Sequence, residues 1–319
     1  MLQGFEIAAS SWESDVLLPR VAGYRPEWLD QLCLAGEVTY CRLTPRRAAP
    51  AREGRDADAS TSTSRATPLA IALRRDLDWL LSAVRGDSTP EPPSSPGAFA
   101  TLEALKKRGA LFFEDLALTT GLGRADLTRA LWDVVGRGLV SPDGFQPLRD
   151  LMASGRKRSA RPVHGRWALV EPALGVRLED ADRLADHVAD QLLARYGVVF
   201  RGLFERESFT VPWREVLRAL RRREARGLVR GGLFVTGVSG EQYALADAVD
   251  ALRRSRRENE TDVTIRISAT DPLNLAGIVT PGPRVPAHAG TWITYALHRT
   301  QISDAHVSEP AQLDPAQQD

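Results

Sequence analysis

Cysteine is scarce. Only Cys33 and Cys41 occur among 319 residues, too few for the disulfide framework of a secreted scaffold. Both are expected to be small core residues in a cytoplasmic protein. Histidine is nearly as sparse. His164, His187, His288, His298 and His306 show no metal-ligand spacing with each other or with the cysteines, so no metal site is expected. No apolar run approaches the roughly 18–20 residues that a membrane span needs, and the opening residues lack the basic-then-apolar order of a signal peptide. Also missing are the phosphate-cradling G-x-x-x-x-G-K-[ST] loop, the G-x-S-x-G elbow, the H-E-x-x-H pair and paired C-x-x-C motifs. Neither a cofactor nor an ATP-hydrolysing engine is expected. An amphipathic pattern is already running by Trp12, which points to a piece of something longer.

What is present is an ordinary globular composition, 43% hydrophobic and 26% charged, with length for two or three domains. The net charge of +1 is uninformative, but its distribution is not. Between Met152 and Arg257 basic residues outnumber acidic ones by about eight, as expected of a nucleic-acid-facing segment in an otherwise balanced protein. A solvated arginine-rich surface is the alternative.

Residues 1–85 read as a winged-helix-like unit. A helix starts at Pro26, Gly36 ends it, Val38–Leu43 forms a strand, and 46–67 is expected to be a disordered insertion. Leu69–Arg74 reads as a strand and Leu77–Leu81 as a helix, with a linker at 86–96. Residues 97–170 read as a second winged helix, with a hairpin edge near the turn at 142–144 and a basic loop at 156–161. Residues 178–257 repeat the theme, with helices near 180–196 and 212–226, strands at 227–230 and 233–236, and a closing helix over 244–253. Residues 262–296 are β-rich, with strands at 263–268, 277–280 and 292–295, and are expected to form part of a small barrel. A flexible tail covers 297–319. The expected class is α+β and multidomain: tandem winged-helix units followed by a small β-rich, barrel-like domain.

Self-similarity is the strongest signal. Leu127–Val140 matches Val216–Val229 without a gap, Phe145 then pairs with Phe234, and Leu29–Val38 is a fainter third copy. A helix with one apolar stripe, a glycine stop and a two-strand wing is the winged helix-turn-helix pattern, in which the helix before the wing enters the major groove. The same fold also serves as a protein-docking module.

The copies differ in charge. On the helix after Pro212, Trp213, Val216, Leu217 and Leu220 share one side, and Arg214, Arg218, Arg221 and Arg222 share another. Arg223 and Arg226 flank that ridge and Arg230 begins the wing. Four to six such charges suffice to displace counterions from phosphates. Arg253 and Arg254 extend the basic surface or belong to a solubilising linker. The helix from Arg124 is less basic and reads as a spacer. The competing reading pairs these arginines with Glu215 and Glu224 on a solvated face. Trp132, Trp167 and Trp213 are expected as core anchors. Asp271 sits in a Thr-Asp-Pro turn, where an Asx turn is the simple reading. It is also a weak candidate for the carboxylate of base excision.

Arg195–Phe204, Trp213–Leu220, Phe234–Tyr243, Asp30–Val38 and Ile267–Gly282 resemble the C-terminal region of Lhr-type large helicase-related proteins of superfamily 2. The resemblance covers roughly residues 3–290. It implies an ATPase core upstream, a tandem winged-helix array, a β-barrel, a bacterial DNA-repair setting and self-association through this region. The array also resembles the winged-helix DNA glycosylases that excise alkylated bases. Three functions follow as expectations. The chain is a DNA-gripping module for a helicase motor (single strand, duplex or RNA–DNA hybrid), a base-excising glycosylase, or a homo-oligomerising module, with no membrane partner.

Overall fold

The computed structural model describes residues 1–45, 65–93, 95–152, 165–170, 181–257, 264–296 and 299–304. Most of the 46–67 insertion, the 156–161 loop and most of the 297–319 tail lie outside the described residues, although 299–304 of that tail form a strand.

Three units share one topology. The first holds β1 (Ile7–Ala8), π-helical turns at Trp12–Leu17 running into α1 (Leu18–Arg20), then α2 (Pro26–Leu34), β2 (Val38–Cys41) and β3 (Pro68–Leu73). α3 (Leu77–Arg85) follows. The second runs α4 (Pro96–Arg108), β4 (Leu111–Phe112), α5 (Phe113–Thr120), α6 (Arg124–Gly136), β5 (Val140–Pro142), α7 (Gln146–Met152) and β6 (Arg166–Leu169). The third runs α8 (Ala181–Tyr196), β7 (Val198–Val199), α9 (Arg201–Phe204), α10 (Trp213–Ala225), β8 (Val229–Gly232) and β9 (Gln242–Leu245), with α11 (Ala246–Arg257) after it. Each sheet is antiparallel with its last strand in the middle: β1-β3-β2, β4-β6-β5 and β7-β9-β8.

The repeat is structural down to its hydrogen bonds. Gly36, Gly138 and Gly227 take left-handed φ values of 75°, 74° and 73°, a conformation that costs an L side chain strain. After each, the next amide reaches back to close the helix. Glu37 N donates to Leu32 O (3.1 Å), Leu139 N to Val134 O (2.9 Å) and Leu228 N to Arg223 O (2.9 Å). This is the Schellman C-cap, made three times.

The units do not stand apart. β2 is buried along its whole length. One face of the β2–β3 pair, with Val38, Tyr40 and Leu69, joins the core of α4, α5 and α6. The other, with Cys41, Ala70 and Ala72, joins the core of α3, α8 and α10. Burial pushes both the Cys33 and Cys41 thiols up to about 12. Tyr40 donates from its hydroxyl to Gly144 O (2.9 Å) and packs edge-on against Phe145. Arg85 crosses the junction, donating to Leu43 O and Gly138 O. Arg195 and Glu207 form a wholly buried ion pair (2.9 Å), and the same guanidinium donates to Met1 O and Gln3 O.

Several expectations change. The second wing strand is 242–245, not 233–236, because the Gln242 carboxamide captures the amides of Phe234 and Val235, which removes them from a ladder. The closing helix accordingly starts at Ala246. No strand forms at 277–280, where only an isolated bridge joins Ala276 and Thr280. There Asn274 takes up the Ala269 and Val285 carbonyls and Gly277 is left-handed. β10 (Ile265–Ser268), β11 (Thr291–Ala296) and β12 (Arg299–Asp304) are therefore an open three-stranded antiparallel sheet among the described residues, not a closed barrel. Where a hairpin edge was expected after residue 144, α7 begins instead.

Removing one member of a buried ion pair strands the other charge. Arg195→Ala is expected to lower unfolding stability by about 3–5 kcal/mol in urea titration. Arg195→Met with Glu207→Leu is expected to recover most of that loss.

Candidate nucleic-acid interface

α10 is amphipathic with a charged second seam. Val216, Ala219 and Leu220 are buried in the core, and Trp213 leans on Phe204. α8 presents Asp182, Asp186 and Asp190 at four-residue intervals, hence on one face. Arg223 reaches that face, donating to Asp186 Oδ1 and Asp190 Oδ1 (2.7 Å each) and to Asp186 O (2.7 Å). Arg222 joins it at Asp186 (3.0 Å) and Asp182 (3.4 Å). Burial pushes the Asp186 carboxyl up, but Arg223 and Arg222 outweigh this and hold it below the usual range. This corrects the expected ridge. Arg222 turns into the α8–α10 seam, and Arg223 is buried rather than flanking.

What remains outward is a clean stripe. Arg214, Arg218 and Arg221 are spaced four and three residues apart, and their side chains are 77%, 63% and 56% exposed. Each holds a carboxylate at the surface. Arg214 and Arg218 share Glu215 (3.0 and 2.7 Å), and Arg221 pairs with Glu241 at the base of the wing (Nε to Oε2, 3.0 Å). The Glu215 half of the competing reading is therefore present in the structure. Glu224 instead accepts from Gly231 N (2.9 Å) and pins the wing to the helix. Such solvent-exposed pairs hold only weakly, so an incoming phosphate can displace them. Arg226 and Arg230 are exposed on the helix exit and on β8. Arg253 and Arg254 are exposed on α11, the former near Asp250 (3.4 Å).

The wing is stiffened by Gln242, which is buried. Its oxygen accepts from Phe234 N and Val235 N (2.9 and 2.8 Å), and its amide donates to Val235 O and Val238 O (3.0 and 3.3 Å). Sequence reasoning missed this clamp. A glutamine two residues past a glycine, followed by Tyr-Ala-Leu, was the only trace of it. The Asp182-Asp186-Asp190 spacing was the unread signal for the seam.

The corresponding helix of the second unit is not free in the same way. From Ala130 to Gly138 every residue of α6 and its cap except Trp132 is buried. Arg137 folds back onto Asp133 (2.8 Å) and Pro92 O (3.0 Å), and Arg42 donates to Gly136 O (2.9 Å). Trp167 is a core residue, whereas Trp132 and Trp213 are half-buried.

Asp271 is 3% exposed and fully engaged. Arg20 donates to it from Nε (3.0 Å) and Nη2 (2.6 Å), and Leu273 N closes an Asx turn onto Oδ1 (2.8 Å). That geometry docks the last sheet onto the first unit.

Two family models match, each described as a winged-helix domain of large helicase-related protein. One is the third such domain, over residues 1–57, and the other is the fourth, over 178–264. Both segments are thus similar to the winged helices of Lhr-type proteins. Two curated relatives agree. A Mycolicibacterium smegmatis protein named Lhr helicase/probable uracil glycosylase is 28% identical over 86% of this chain, and an Escherichia coli protein named Lhr helicase/uracil glycosylase is 27% identical over 90%. The chain spans 19% of the length of each and matches a C-terminal fragment of an Lhr-type helicase. Among the described residues no helix is long and apolar enough to cross a membrane.

Two measurements probe the charge arrangement. Glu215→Gln with Glu241→Gln frees the outward arginines, so duplex affinity is expected to rise by up to about fivefold, the equivalent of one exposed pair, in fluorescence anisotropy. The seam acts in the opposite pH sense to a histidine switch. A carboxylate held low in the fold stabilises above its ordinary range and loses that contribution as pH falls through its lowered value. Asp186→Asn is therefore expected to flatten the acid limb of the melting-temperature profile.

Proposed function

We propose that this chain is the nucleic-acid-gripping part of an Lhr-type DNA helicase whose ATPase core lies in the remainder of the parent polypeptide. The carrying observation is the stripe of Arg214, Arg218 and Arg221 on the helix before a clamped wing, with Arg226 and Arg230 continuing it. In a winged helix that face meets the groove and the phosphates beside it, and each phosphate neutralised releases counterions. The second unit, its α6 half sealed, packs on the face of the first unit opposite the third and braces the array from that side. Arg253 and Arg254 add charge at the margin. A DNA-repair setting is supported by the pairing of helicase with uracil glycosylase in the relatives' names.

The glycosylase reading rests on those names alone. Asp271, the one carboxylate considered for it, already has its oxygens committed to Arg20 and Leu273, so it is given no catalytic role. The binding reading is preferred because the exposed arginines are in place.

The test is a binding titration against duplex, single strand and RNA–DNA hybrid over a range of salt. Arg214→Ala with Arg218→Ala and Arg221→Ala is expected to weaken duplex binding and to lower the slope of log K against log salt by about 2–3, near 0.9 per phosphate. Arg222→Ala is expected to leave the slope unchanged. A triple variant with natural affinity and slope contradicts the proposal.

A further inference from the structure

The three Schellman caps put the units into one register. Leu32, Val134 and Arg223 are the carbonyls that close the three helices, so they are equivalent positions. Four residues earlier stand Trp28, Ala130 and Ala219. In the second unit this stripe is covered by α4, with Ala130 and Val134 only 3% and 0% exposed. A Cβ placed on Gly97 of α4 would lie 3.8 Å from the Ala130 methyl. In the third unit it is covered by α8, with Ala219 at 0% and Arg223 at 8%. In the first unit the same stripe is partly exposed among the described residues. Trp28 and Leu32 are each 41% exposed, and the neighbouring Leu18 and Val21 are 54% and 38% exposed. In the other two units the covering helix directly precedes the first strand. In the first unit Arg195 holds Met1 O and Gln3 O ahead of β1.

We propose that the Trp28–Leu32 face of α2 is the seat of one amphipathic helix, which occupies the place that α4 and α8 hold in their own units. The inference rests on the reading above, since the helix is supplied by the remainder of the Lhr-type parent, of which relatives carry several times the matched length. The chemistry of the occupant follows from the register. Tryptophan replaces alanine at the closest approach, so the helix presents glycine or alanine to Trp28. Leucine replaces arginine at the next turn, so the stripe facing Leu32 is apolar and lacks the aspartates with which α8 meets Arg223. Clustered exposed apolar side chains at a helix face are what such a junction leaves when its partner is elsewhere.

The test pairs the intact chain with the remainder of the parent polypeptide, produced separately, in a calorimetric titration. The natural chain is expected to bind it, and Trp28→Ser with Leu32→Ser to weaken that binding at least about tenfold, as for a central tryptophan anchor. The same variant is expected to keep the melting temperature and DNA affinity of the chain alone, because both side chains are exposed there. Absence of binding, or binding indifferent to the substitution, overturns the proposal. So does a dimer of the chain alone, seen by sedimentation, that the substitution breaks apart, since a second copy is then the occupant. Failure of the arginine reading shows separately, as natural DNA affinity and salt slope in the triple arginine variant.

Discussion

α10 carries more arginines than a helix can present on one side, and the face of α8 decides which of them meet water. Asp182, Asp186 and Asp190 recur every fourth residue and draw Arg222 and Arg223 inward. With those two committed, the rotation of the helix about its axis is set, and Arg214, Arg218 and Arg221 are left as a single outward row. A hydrophobic seam alone would locate the helix against the core, but with less resistance to rotation. The paired charges add direction, because a rotated helix would leave Asp186 facing apolar residues.

The surrounding architecture holds that row in a stable frame. Because β2 and β3 of the first unit are buried on both faces, the first unit is the shared wall of two cores. The second unit packs on one side of this wall and the third on the other. Arg85, Arg195 and the Arg20–Asp271 pair fasten the junctions with bonds to backbone and to buried carboxylates. The consequence for binding is preorganisation, since little ordering entropy remains to oppose association. The wing shares in this through the four bonds of Gln242 and the Glu224 contact to Gly231.

Local signals in the sequence were legible, and pairings between distant segments were not. The glycine stops at 36, 138 and 227 announced three copies of one motif, since a left-handed residue after an apolar stripe has few other meanings. The helix after Pro212 was readable from its period, and so was the outward placement of Arg214, Arg218 and Arg221. Arg222 was misread because its direction depends on aspartates some forty residues earlier. The wing strand was misplaced because a side-chain amide substitutes for the ladder there, a bond that leaves no periodicity behind. The barrel was inferred from alternation at 263–268 and from short β-branched runs. One of those runs, 277–280, became a turn under the pull of Asn274 and a left-handed glycine. At Asp271 the Asx turn, the simpler reading, is present, and Arg20 holds the carboxylate that was a weak candidate for chemistry.

The central claim is that Arg214, Arg218 and Arg221 contact phosphates while Arg222 and Arg223 serve the fold. Arginine-specific footprinting with a glyoxal reagent, read by mass spectrometry with and without saturating duplex, tests it most directly. The account expects Arg214, Arg218 and Arg221 to react in the free chain and to be protected by DNA. It expects Arg223 to stay unreactive and Arg222 to stay unchanged in both states. Continued modification of the three outward arginines at saturation would contradict it.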